Sequence, residues 1–325
     1  MTKAIRIHKT GGPEVLSWED DNPGNPGPGE VRIHQEAVGL NYIDVYHRSG
    51  LYPVPSLPVI PGLEGAGTVD AVGDGVADFA KGDRVAYAGV PIGAYAEVRC
   101  IPAHRLVKLP EGISTRQAAA MMLQGMTVRY LLKGCYDVQP GTTLLVHAAS
   151  GGVGSIMCQW AKHIGAITIG TVGSLAKADL ARANGCTHTI LYQEEDFEEE
   201  VKKLTRGQGV DVVYDSVGKT TFMKSLNCLR PMGSMVSFGQ SSGPVEPFDL
   251  SLLAAKGSLF LTRPSLMNYT AERAALLVHA QDLFEVIVSG AVKINIYKEY
   301  QLKDAVQAHT DLESRITSGS SVLLT

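Results

Sequence analysis

Two hydrophobic periods divide this chain. In its middle and later parts, short apolar runs alternate with helical patterns. Leu144-Leu145-Val146 has the length and character of a buried parallel strand. After a turn of small residues, Val153, Ile156, Met157, Trp160, Ala161 and Ile164 recur at helical spacing along one face. Gly165-Ala166 closes that helix, and residues 167–172 predict a second strand. The alternation continues with strands at 187–192, 210–215, 234–238 and 258–262 and helices near 177–183, 197–205 and 220–229. Six strands joined by crossover helices make a doubly wound α/β domain with a parallel sheet.

The first 125 residues read differently. Short β-prone segments at 4–8, 30–37, 68–72, 84–87 and 95–100 alternate with Gly/Pro turns, the longest being Asn22-Pro23-Gly24-Asn25-Pro26-Gly27-Pro28-Gly29. This spacing predicts a small β-barrel or a distorted sandwich. Residues 271–289 predict an amphipathic helix, and 292–300 and 320–324 predict strands. Six strands already fill the α/β sheet, so the last two are expected to return to the first domain. The expected organisation is one domain of 1–125 with 266–325, and a second of 126–265.

Chemistry enters at the turn after the first α/β strand. Ala149, Gly151 and Gly154 occupy the three small positions of a dinucleotide fingerprint, with Gly152 and Val153 between them. Gly151 lets a pyrophosphate approach the backbone, and Gly154 lets helix and strand pack closely. The helix N-terminus offers free N–H groups and the positive end of its dipole. The competing reading is a flexible glycine turn without a ligand. Its place between a strand and an amphipathic helix favours the nucleotide.

An NAD site usually puts an acid at the end of the second strand, about 20 residues on, to hold the ribose 2′-OH. Here Gly173-Ser174 stands there, followed by Lys177, and no acid appears before Asp179. A carboxylate would repel a 2′-phosphate, whereas Ser174 can donate to one and Lys177 can neutralise it. The expected cofactor is NADPH.

Composition narrows the partners. The chain has 325 residues, 19% charged and 45% hydrophobic, with net charge −4. That balance, with no basic stripe, argues against nucleic acid, and no apolar run reaches membrane-spanning length. The N-terminus lacks the apolar stretch of a signal peptide. Cys100, Cys135, Cys158, Cys186 and Cys228 are scattered, against a disulfide framework or zinc cluster. A cytoplasmic protein is expected. The acidic run Glu194-Glu195 and Glu198-Glu199-Glu200, with Lys202, Lys203 and Arg206 behind it, reads as a solvated helix face.

Several motifs follow one another in a familiar order: Pro61-Gly62-Leu63-Glu64-Gly65-Ala66-Gly67, Val72-Gly73, Gly82-Asp83-Arg84-Val85 and Ala149-Ser-Gly151-Gly-Val-Gly154. Together they resemble the medium-chain dehydrogenase/reductase superfamily over nearly the whole chain. Asn41-Tyr42-Ile43-Asp44 and Leu51-Tyr52 resemble its NADPH:quinone oxidoreductase (ζ-crystallin-like) branch. The resemblance implies a GroES-like β-barrel catalytic domain beside a six-stranded Rossmann domain. It also implies a homodimer through the edge strand Ser258, Leu259, Phe260, Leu261 and Thr262, and an exposed apolar edge would invite such pairing.

Where alcohol dehydrogenases of that superfamily hold catalytic zinc with Cys, His and Cys, this chain aligns Asn41, Leu63 and Leu123. Leucine cannot ligate zinc and asparagine is a poor ligand. Glu64 remains, and the four-cysteine structural lobe is absent. No functional metal is expected, which leaves hydride donation to an acceptor that is electrophilic without one, a quinone or an activated alkene.

By resemblance, Asn41, Tyr46 and Tyr52 contact the acceptor. Both residue types donate hydrogen bonds, and a tyrosine ring can stack on a flat quinone. The alternatives are a turn role for Asn41 and amphipathic packing for the tyrosines. Asp44 and His47 are the right types for an acid/base pair, although a structural polar contact is the stronger reading. The resemblance also places around the cofactor Asn41, Tyr130, Tyr192, Ser216, Phe238, Gly239, Gln240 and Ser241, the last five at carboxyl ends of strands where open α/β sheets bind ligands. Arg263 and Arg315 are candidates for phosphate or adenosine contact, or equally for surface ion pairs. Three functions compete: quinone reduction with NADPH, reduction of α,β-unsaturated ketones or aldehydes at the same site, and non-catalytic NADPH binding.

Overall fold

The computed structural model describes residues 1–325 in two compact units. The second unit comprises Thr127–Asn268 with Ser289–Lys293. Its sheet has six parallel strands in the order His188–Leu191, Ile167–Val172, Thr143–Val146, Val210–Asp215, Leu229–Ser237 and Phe260–Thr262. By position in the chain that order is 3-2-1-4-5-6, the doubly wound arrangement of dinucleotide-binding domains. The central strand reads as a continuous apolar run because both its faces are covered: Leu144, Leu145 and Val146 are at most 1% exposed.

Helix Gly152–Ile164 follows that strand and ends at Gly165, whose φ of 94° suits glycine. Ile156, Met157, Trp160 and Ala161 bury the face that the periodicity marks. Its approach to the strand turn is close: a Cβ on Gly154 would lie 2.3 Å from the Ala148 carbonyl oxygen and 2.7 Å from Ala149 Cα. The acidic run forms the start of helix Phe197–Leu204, where Glu198 and Glu200 pair with Lys202 and Lys203 at 2.6 Å each.

The first unit comprises Met1–Met126, Tyr269–Val288 and Ile294–Thr325. A seven-stranded sheet runs Ile296–Gln301, Ser320–Leu324, Glu30–Leu40, Glu64–Val72, Arg84–Ala88 and Val107–Lys108, with Val98–Pro102 also paired to Glu30–Leu40. The two C-terminal strands thus enter this sheet, Val322 opposite Gly39. Ile5, Ile7, Val31, Ile33, Val69, Val85, Ile101 and Leu106 fill its core. This is the β-barrel domain expected, but it also carries helices that the β pattern hid: Tyr42–Ser49, Thr115–Ala119 and Ala305–Glu313. Tyr42–Ser49 had a local signal, Asn41 at the N-cap with Asp44 three residues on. The predicted helix at 271–289 is present as Arg273–Val288, while the strand expected from 292 begins only at Ile296. No helix is long and apolar enough to cross a membrane.

Gly154→Ala is expected to destabilise the second unit by about 1–3 kcal/mol, because the added methyl overlaps backbone that cannot rotate away. A denaturant titration followed by tryptophan fluorescence, Trp160 lying on the same helix, would show the lower midpoint. An unchanged midpoint would refute the packing argument.

Candidate functional site

At the carboxyl ends of the parallel strands, loops are laced to one another. Gly151 caps helix Gly152–Ile164, and its N–H donates to the Ala148 carbonyl at 2.9 Å. Ala148 itself takes a φ of 55°, which the tight turn imposes. A Cβ on Gly151 would stand 3.2 Å from that carbonyl, so glycine keeps this backbone open to a ligand. Ser155, one turn into the helix, has a buried hydroxyl with no partner.

The next corner is built from the second and third strands. Ser174 caps helix Leu175–Ala183 and accepts the Lys177 N–H at 3.3 Å. The Tyr192 hydroxyl lies against Gly173, where a Cβ would be 2.8 Å away. Ser174 is exposed, and Lys177 and Gly173 are half-buried. Asp179, the first acid after the strand, pairs with Arg182 at 2.7 Å. The corner therefore offers a hydroxyl and an ammonium.

The loops after the fourth and fifth strands are joined by backbone bonds. Phe238 N–H donates to Asp215 O at 2.9 Å, and Ser241 N–H to Ser216 O at 3.1 Å. Gly239 is required there, since a Cβ would lie 2.6 Å from Ser216 O. Gly243 N–H reaches the Gln240 carbonyl at 2.9 Å. Arg263 donates from Nη1 to the carbonyls of Ser237 and Gly239, both at 2.9 Å. This guanidinium orders the loop, a role that sequence reasoning did not assign. Tyr130 is buried at the end of helix Met122–Tyr130.

In the first unit, Asn41, Tyr46 and Tyr52 come together on helix Tyr42–Ser49 and the turn after it. The rings of Tyr46 and Tyr52 are 4.9 Å apart, Tyr42 and Tyr46 are 5.4 Å apart, and Tyr52 N–H bonds Tyr46 O at 3.0 Å. Tyr46 is 7% exposed and Tyr52 half-buried. Burial raises the Tyr42 hydroxyl pKa, and Arg315 opposes that shift. Arg315 thus sits in the first unit beside Tyr42, in a left-handed turn with φ 60°.

Asp44 does not pair with His47. Its Oδ2 accepts the Asn41 N–H at 2.9 Å and the Tyr95 hydroxyl at 3.1 Å. His309 then fixes the protons. Its Nδ1 lies 3.2 Å from Arg48 Nη1, which can only donate, so the ring proton is on Nε2 and points to the Tyr95 oxygen 2.9 Å away. Arg48 also donates to Glu313 at 2.9 Å. Burial pushes the Asp44 carboxyl up to about 7, against the lowering effect of its two donors. Oδ1 is buried without a partner, so only Oδ2 has donors to stabilise a charge. Burial, followed by Arg48, drives His309 down to about 3 and keeps it neutral. Helix Ala305–Glu313, absent from the sequence reading, supplies this histidine.

Glu64 is a second fully buried acid of the first unit. Oε2 accepts the Asn41 amide at 2.6 Å and Oε1 the Leu123 N–H at 2.7 Å. Burial raises this carboxyl to about 8, the Asn41 and Leu123 hydrogen bonds lower it, and Asp44 nearby raises it further. Gln124 Nε2 donates to Asn41 Oδ1 at 3.1 Å and accepts Ser320 Oγ on its own oxygen at 2.7 Å. Leu63 is buried, and Cys100 contacts the Pro23 carbonyl. No group of three or more His, Cys, Asp or Glu stands ready to hold a metal ion.

Comparison with known proteins matches residues 27–111 to an alcohol dehydrogenase GroES-like domain and 152–277 to a zinc-binding dehydrogenase. A quinone oxidoreductase of Pseudomonas aeruginosa is 50% identical, covering all of both chains. A 2-haloacrylate reductase from Burkholderia is 44% identical over all of this chain and 99% of its own. The crystal structure of Escherichia coli quinone oxidoreductase complexed with NADPH superposes with a TM-score of 0.98 at 49% identity, over 99% of this chain and 100% of that one.

Asp44 sets a pH dependence. Its folded pKa lies above its ordinary value of 3.8, so between that value and about 7 the folded state binds the extra proton. Stability from this group is therefore present at low pH and lost as pH rises through about 7. Asp44→Asn should flatten the decline in unfolding midpoint across that window. Parallel curves for wild type and variant would contradict a buried, protonated Asp44.

Proposed function

Because the chain belongs to the medium-chain dehydrogenase/reductase family, in its quinone oxidoreductase branch, we propose that it reduces quinones with NADPH and without a metal. When bound, the nicotinamide supplies a hydride. The chain binds and orients both reactants. Gly152, Val153 and Gly154 present backbone N–H groups to the pyrophosphate, and Gly151, without a side chain, lets it approach. The single observation that carries the reading is the corner of Gly173, Ser174, Lys177 and Tyr192. It has a hydroxyl and an ammonium where an NAD site needs an acid. Its first carboxylate, Asp179, is paired with Arg182. Tyr130, Ser216, Phe238, Gly239, Gln240 and Ser241 complete this side, with Arg263 holding the last loop.

Asn41, Tyr46 and Tyr52 receive the acceptor. Clustered tyrosine rings suit a flat acceptor, and an amide N–H suits the oxygen that gains negative charge. The proton that completes the product comes from water or a side chain. Support for a reaction without metal comes from Asn41, Leu63 and Leu123, none a good zinc ligand. The five cysteines are free thiols, which suits a reducing cytoplasm; fractionation placing the protein in an oxidising compartment would oppose that.

One assay tests the reading: oxidation of NADPH and NADH with a panel of quinones and enones, with and without a chelator. Quinones should be turned over fastest and the chelator should change nothing. Faster turnover of enones, or activity lost to chelator and restored by zinc, would overturn it. NADPH should bind about ten- to a hundredfold more tightly than NADH, and Lys177→Ala should narrow the gap by weakening NADPH. Tyr52→Phe and Asn41→Ala should each lower quinone turnover roughly three- to a hundredfold.

The same reading makes the protein a C2 homodimer joined at Phe260–Thr262. That strand pairs with Leu229–Ser237 on one side only, and Phe260 is 64% exposed. Sedimentation should give twice the chain mass, and Phe260→Asp with Leu261→Asp should give monomers. A monomeric wild type would refute this interface.

A further inference from the structure

Asn41, Leu63 and Leu123 stand where zinc-bearing relatives would hold a metal, and here their surroundings converge on one carboxyl group. Glu64 follows Leu63 directly. It accepts the Asn41 side-chain amide on one oxygen, at 2.6 Å, and the Leu123 N–H on the other, at 2.7 Å. The strand beside it leaves only enough room: a Cβ on Gly39 would fall 2.1 Å from Glu64 Oε2 and 2.4 Å from the Ala119 carbonyl. Glu64 is fully buried, so this bridge is shielded from competing water.

Asn41 is gripped on its other side as well. Gln124 donates to Asn41 Oδ1, and Ser320 donates to Gln124 Oε1. A flipped Asn41 amide would set its nitrogen against the Gln124 nitrogen. The hydrogen-bond directions therefore agree along the row from Ser320 to Glu64, and with Gln124 Nε2 turned to Asn41 this orientation of the Asn41 amide is the one that avoids two opposed nitrogens. In that orientation one Nδ2 hydrogen is spent on Glu64, and the other is the donor left for an acceptor oxygen.

We propose that Glu64 is a positioning residue for quinone reduction, holding the Asn41 amide so that its second N–H meets the oxygen on which charge develops. The proposal rests on the reading of Asn41 as an acceptor contact. A donor held in place beforehand costs no reorganisation when the charge appears, whereas a rotating amide does.

The test is a double-mutant cycle on the full-length protein with saturating NADPH and a soluble quinone. Glu64→Gln cannot accept from both donors with one side chain, and should lower kcat on the order of tenfold while leaving the NADPH dissociation constant within about threefold. In the Asn41→Ala background it should cost nothing further, because its effect passes through the missing amide. Effects that multiply, or a Glu64→Gln enzyme with wild-type kcat, would overturn the proposal. So would an Asn41→Ala enzyme with wild-type kcat. Glu64→Asp keeps the carboxyl but falls one methylene short of spanning both donors. It should lose turnover as Glu64→Gln does, and it decides the matter if thermal melting shows that Glu64→Gln does not fold. If the wild-type protein reduces no quinone, the functional reading fails by itself. The NMR signal of the Asn41 side-chain amide then judges the positioning alone: its two inequivalent N–H resonances should shift or average in Glu64→Gln, and unchanged resonances would refute it.

Discussion

The second unit depends on a constraint smaller than a methyl group. Helix Gly152–Ile164 starts so close to the turn at Ala148 and Ala149 that no side chain fits at Gly154. This contact lets the helix leave the strand at once and fold back over the sheet with Trp160 and Met157 buried. It also leaves the first helical N–H groups at the carboxyl edge of the central strand, where strand order reverses. The edge of exposed helical amides is thus a by-product of close packing. The strand-end loops reinforce it, Gly239 admitting Ser216 and Arg263 holding the carbonyls behind them.

The first unit solves a different problem. It buries the carboxyl groups of Asp44 and Glu64 completely, beside a core of aliphatic and aromatic side chains. Burying charge is unfavourable, and both acids are displaced toward their neutral forms. Each is also met by donors: Asn41 and Tyr95 for one, Asn41 and Leu123 for the other. Asn41 serves both, with its backbone N–H and its side-chain amide. That double engagement holds the start of helix Tyr42–Ser49, and with it the tyrosines, in one orientation.

The relation to zinc-dependent relatives is physical as well as genealogical. A metal would organise its ligands by coordination. In this chain the region around Asn41 and Glu64 is organised by hydrogen bonds of consistent direction, from Ser320 through Gln124 and Asn41 to Glu64. Such a row gives the Asn41 amide a fixed polarity.

Much of the architecture was legible in the residues themselves. Parallel strands buried on both faces must be short apolar runs, and helices that cover them must repeat every three to four positions. Both signals are local, as is the glycine spacing of the turn and the absence of an acid after Val172. Helix Tyr42–Ser49 was not read: Asn41 and Asp44 gave a local signal, but tyrosine, valine and isoleucine around them suggest strand as readily. What sequence could not supply is who meets whom. His309 reaches Tyr95 across 214 residues and Arg48 across 261, and Ser320 reaches Gln124 across 196. Whether Glu64 is a surface charge or a buried acid, and whether Arg263 faces a ligand or its own loop, depends on neighbours brought in by the fold. Periodicity and turn chemistry act over a few bonds, so the sequence alone determined most of the elements and the glycine turn. Burial and hydrogen-bond direction arise only when distant segments pack, so the tertiary structure alone decided the partners of Asn41 and the protonation of the acids beside it.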